Sequence, residues 1–65
     1  MRQGQAVEVM EAFDFKSVKR VVAVDYRNVY VCTDDEYRSA LSEEREPVCV
    51  GFPREFVLGV VNESE

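Results

Sequence analysis

Two carboxylate clusters, Asp34-Asp35-Glu36 and Glu43, Glu44 and Glu46, are the densest groups here that could act on a substrate. Paired carboxylates can divide acid and base roles when their surroundings differ. Both clusters instead bracket a segment with helical spacing, which predicts helix-terminal, solvated positions. The chain has no His, so neither a Ser-His nor a Cys-His pair can be built. Gly4, Gly51 and Gly59 are scattered and form no phosphate-binding loop. Cys32 and Cys49 both lie in apolar runs and are expected to be buried free thiols, with a bridge between neighbouring strands as the alternative. Two thiolates without His do not close a zinc site. A chain of 65 residues also leaves little room for an enclosed pocket. The expectation is a non-enzymatic protein with no catalytic residue, metal site or cofactor.

Charge narrows the binding classes. The net charge is −5, with +1 over residues 1–32 and −6 over 33–65. Nucleic-acid affinity comes largely from neutralising phosphates, so this balance disfavours nucleic acid. Lys16, Lys19, Arg20 and Arg27 could still form a local basic patch, with Tyr26 and Tyr30 as stacking residues. No apolar run exceeds four residues, which excludes a helical membrane span. The first residues, Met-Arg-Gln-Gly-Gln, lack a secretory apolar core, and a cytoplasmic location is expected.

The elements that must position these residues are mostly strands. One domain is expected over 1–65, with 1–4 and 62–65 as flexible ends. A chain of this size buries only about 60% of its unfolded surface, so stability should be a few kcal/mol. Residues 6–15 alternate, with Val7, Val9, Phe13 and Phe15 on one face; Glu11 falls on the apolar side, which predicts a β-bulge there. Lys16-Ser17 is expected as the connection to a strand beginning at Val18. Residues 21–32 hold two dense apolar runs around a turn at Tyr26-Arg27-Asn28, a hairpin covered on both faces. Val22 and Val24 are expected to share a face with Val29 and Val31, opposite Val21, Ala23, Tyr30 and Cys32.

Thr33 followed by Glu36 is a capping-box pattern and predicts a helix to about Glu44, stopped before Pro47. Tyr37, Ala40 and Leu41 make its apolar stripe, and Asp34 can pair with Arg38. Val48-Cys49-Val50 reads as a short strand, 52–55 as a tight or 3₁₀ turn, and 56–61 as the last strand.

Two motifs resemble the SH3 family. Phe13-Asp14-Phe15 is similar to the Tyr-Asp-Tyr part of its early motif. Gly51-Phe52-Pro53-Arg54-Glu55-Phe56-Val57 is similar to its late Pro-x-x-Tyr-Val turn and strand. The resemblance implies a small β-barrel with Phe13, Phe15, Pro53 and Phe56 lining a binding surface. The sequence has no Trp, and a helix replaces the family's tight hairpin between the third and fourth strands. Proline-peptide binding is therefore not expected, although the barrel is.

The resulting fold is mainly β with one helix, five short antiparallel strands in the order β-β-β-α-β-β. An SH3-like barrel is favoured over an open α+β sheet. The leading function is a protein-interaction module whose partner is another protein or a second copy in a homodimer. Nucleic-acid binding through the 16–27 side is the alternative.

Overall fold

The computed structural model describes residues 2–61. Five strands, β1 (Ala6–Ala12), β2 (Phe15–Val24), β3 (Asn28–Cys32), β4 (Val50–Pro53) and β5 (Val57–Val60), form one antiparallel sheet ordered β4-β3-β2-β1-β5. The helix α1 (Asp34–Glu43) lies between β3 and β4, and a 3₁₀ turn (Arg54–Phe56) precedes β5. The sheet is open and strongly curled, a half-barrel. The two expected barrel ends therefore remain separate edges, β4 and β5.

Curvature follows from three bulges. Pairing slips at Glu11 in β1, at Val22 in β2 and at Leu58 in β5, each an extra residue that bends its strand and sharpens the twist. The bulge at Glu11 is the one that alternation predicted. The bulge at Val22 overturns the expected face assignment. Val21 faces Val31 and Val24 faces Val29, so Val21 joins the face of Val29 and Val31, while Val22 is the unpaired residue.

The concave face carries the core: Val7, Val9, Val21, Val29 and Val31, with Phe52 and Val57 packed against it. Each buried valine contributes roughly 1.5–3 kcal/mol by removal of apolar area from water. Among the described residues, the convex face is covered at one end, where the small side chains Ala6, Cys32 and Ala40 are buried. Arg20 fastens α1 there, donating from Nε to Asp34 Oδ1 (3.0 Å) and from NH1 to the Gly4 carbonyl (2.9 Å). Gly4 N–H in turn donates to the Val21 carbonyl (2.7 Å). Ala23, Val24 and Tyr26 at the far end of the hairpin are exposed, so the full two-sided cover expected over 21–32 is confined to its base. Residue 1 and residues 62–65, including the expected C-terminal flexible end, lie outside the described residues.

Other boundaries differ from expectation for local reasons. The first hairpin turns at Phe13-Asp14, and Ala12 pairs with Phe15, so Lys16-Ser17 lies within β2. Asp14 makes this possible by adopting φ 65°, a conformation that Asp tolerates better than most residues. β4 begins only at Val50 and runs through Pro53; 46–49 is irregular, leaving Cys49 exposed rather than buried. Phe56 belongs to the 3₁₀ turn, so β5 is shorter than 56–61.

The helix starts as predicted. The Thr33 hydroxyl accepts from Glu36 N–H (3.0 Å), and Arg38 Nε pairs with Asp34 Oδ2 (3.0 Å). Only half of the capping box forms, because the Glu36 carboxylate serves Arg45 and the Val48 N–H instead. At the other end Glu44 takes φ 56°, and Arg45 N–H reaches the Ala40 carbonyl (3.0 Å), a left-handed cap without glycine. Of the apolar stripe, Ala40 is buried and Tyr37 half-buried, but Leu41 turns outward.

Candidate functional site

The curl of the sheet leaves a cleft of about 310 Å³ between the core valines and the chain leading into β4. Val31, Val48, Val50 and Phe52 form its apolar wall. Val48 and Val50 are 75% and 62% exposed, although they adjoin the core, because among the described residues no strand lies beyond β4 in the sheet order. Glu11 and Lys19 stand on the opposite wall, from β1 and β2. Lys19 Nζ lies 3.4 Å from Glu11 Oε2, and the Ser17 hydroxyl donates to the same oxygen. That hydroxyl, followed by Lys19, holds the Glu11 carboxyl below its ordinary range. The bulge at Glu11 thus places a charged side chain on the cleft: the residue that interrupted the apolar face lines its wall.

The third wall comes from α1 and the segment after it. Glu36 accepts from Arg45 NH1 (2.6 Å) and from the Val48 N–H (3.0 Å), so it ties the segment leading into β4 to the first turn of the helix. Arg45 also donates to Glu43 Oε1 (2.6 Å), and the Glu36 carboxyl is held below its usual range chiefly by Arg45. Cys32 borders the cleft, but burial, then the Glu36 charge, push its thiol pKa up, so it stays protonated at neutral pH. The cleft therefore offers apolar packing and a few hydrogen-bonded charges.

A second cluster closes the β2–β3 turn. Asp25 Oδ1 accepts from the N–H groups of Arg27 and Asn28 (both 2.8 Å), and Oδ2 accepts from Tyr30 OH (2.7 Å). Arg54 donates from Nε and NH2 to the Asp25 carbonyl (3.3 and 3.1 Å), fixing the 3₁₀ turn to the hairpin. Hydrogen bonding from Tyr30, then from the two backbone groups, lowers the Asp25 pKa, and the same carboxylate raises that of Tyr30. The Tyr30 ring lies over Gly51, its partner across the β3–β4 ladder; a Cβ on Gly51 would meet the ring at 2.9 Å.

The residues expected to line a binding surface are spread along the molecule. Phe13 is 93% exposed in the first turn, and Phe15 opens β2 beside it. Phe56 ends the 3₁₀ turn just before Val57, which faces Val9, so it lies toward that same end of β1. Pro53 is opposite Asn28, at the Asp25 turn. Among the expected basic residues, Lys16 and Arg20 face Met10 and Ala6 on the convex side. Lys19 points into the cleft, and Arg27 sits in the β2–β3 turn. These four do not gather on one face.

Sequence reasoning did not single out Val48, Val50 or the Glu11–Lys19 pair, nor the Asp25 cluster. The signals were present in part: Glu11 broke an apolar face, and Asp25 stood two and three residues before its backbone donors, the spacing of an Asx turn. No protein-family model, curated protein or solved structure matches this chain.

Proposed function

We propose that this chain is a non-catalytic protein-interaction module built on an SH3-like small barrel. The barrel reading is supported by a curled five-stranded antiparallel sheet with a 3₁₀ turn before its last strand, the arrangement implied by the resemblance of the 13–15 and 51–57 segments. One observation carries the interaction reading: the open edge at β4 exposes Val48 and Val50 beside an apolar cleft. An unpaired edge with apolar side chains is a template for another strand, and soluble proteins commonly blunt such edges with charge or cover. Pro53 blunts only the far end of this one.

The test is photo-crosslinking in the source cells. A photoreactive residue at Val50 should give discrete protein adducts, whereas one at Ser39 on the exposed side of α1 should give none. Equal labelling from both positions, or none from Val50, overturns the reading. Fold alone carries no function, so the barrel and the binding role stand or fall separately.

A further inference from the structure

Three features of the β4 edge together define what it would accept. Val50 and Phe52 face Val31 and Val29 across the ladder, so they share the concave face with the cleft. A strand added beside β4, at about 4.8 Å, would lay every second side chain over that apolar wall. The intervening side chains would fall on the face of Gly51, which has no side chain of its own. Their neighbours there are the Tyr30 ring and, at its hydroxyl, the Asp25 carboxylate, which also accepts two backbone N–H groups and has Arg54 on its carbonyl. A long cationic side chain suits that face, since it can lie along the ring and direct its charge to a carboxylate.

The wider field favours the same choice. Residues 33–50 carry six acidic and two basic side chains, and both basic ones are bound to carboxylates of the same segment. A second copy would bring an equal negative charge to this edge, and like charges suppress association. A basic segment would be drawn to it.

We propose that the β4 edge and its cleft bind an extended peptide segment alternating aliphatic and basic side chains, which adds as a sixth strand. This names the partner chemistry and rests on the interaction-module reading above. The segment pairs along 50–52: Glu36 already holds the Val48 N–H, and Pro53 has no donor to give. Aliphatic side chains enter the cleft, and the basic ones lie over Tyr30.

The experiment is a titration of the whole chain with fluorescent alternating Val-Lys peptide, followed by anisotropy and by backbone-amide NMR. The expected result is saturable binding, at least about tenfold tighter than for the alternating Val-Glu peptide, with shifts concentrated at 48–52. N-methylation of alternate peptide amides should abolish it, as should Val50→Asn, while Leu58→Asn on the β5 edge should leave it unchanged. Binding that Val50→Asn does not weaken would be plain charge attraction and overturns the proposal. Shifts centred on β5 or on Phe13 and Phe15 overturn this site but leave the module reading standing. Concentration-dependent shifts at 48–52 without peptide identify a second copy as the occupant and also overturn it. No binding overturns the peptide proposal, and the crosslinking experiment then decides the module reading alone.

Discussion

A hydrogen-bonded carboxylate ties down each end of the β3–β4 ladder, Asp25 at one and Glu36 at the other, but the two ends differ in the apolar surface they leave in solvent. At one end Asp25 takes two backbone N–H groups and a tyrosine hydroxyl with its carboxylate, and its carbonyl receives Arg54. At the other, Val48 and Val50 stand in solvent beside a cleft. Polar side chains fix the chain where it must turn; apolar side chains are left uncovered where the sheet stops. The difference teaches that this small domain is not uniformly loose. Its exposed apolar surface is placed next to fully buried core valines, a setting in which a docking strand would need little reordering of its receptor.

The contrast can be broken first at the core the two ends share. Val31→Ala removes two methyl groups from a fully buried position and should cost about 2–3 kcal/mol, measured by urea unfolding. A smaller loss would mean that the half-barrel collapses readily around the gap. Asp25→Ala should cost less but affect both the hairpin and the 3₁₀ turn. Because the folded carboxyl has a lowered pKa, its contribution is present above the unfolded value and disappears as pH falls through the folded one. The stability difference between Asp25→Ala and the parent should thus shrink in acid. A pH-independent difference would mean that Asp25 acts by shape alone. Tyr30 gives the opposite limit: its pKa is raised, so its share persists below the ordinary tyrosine value and fades as pH rises through the higher folded one.

Smaller effects sharpen the contrast. Glu44→Gly should stabilise the chain by about 1 kcal/mol, since a left-handed cap without a Cβ carries no steric penalty. Thermal unfolding would read this as a rise of roughly 4–8 °C. Val50→Asn should change stability by no more than about 0.5 kcal/mol, because the side chain is already in water. A large loss there would show that Val50 belongs to the core rather than to a binding edge.

The fold was legible where local rules and tertiary structure agree. Thr33 capped its helix, Glu11 marked its bulge, and the strand count followed from period-two runs and turns. It was illegible where one residue changed parity. The bulge at Val22 leaves no mark in an all-apolar run, so alternation through Val21–Val24 assigned the wrong face to Val21. Asp14 concealed the first turn because its neighbours Phe13 and Phe15 look like strand residues. The site was less visible still, since an open edge is a property of which strands meet. Nothing in Val48-Cys49-Val50 distinguishes an edge from a central strand.

Amide hydrogen exchange across residues 25–52 tests the central contrast most directly. Val29 and Val31 should exchange slowest, Asn28 at an intermediate rate, and Cys49 together with Gly51, whose N–H points away from β3, fastest. Protection of those edge amides equal to that of Val29 and Val31 would show that β4 is already covered, and would contradict the account.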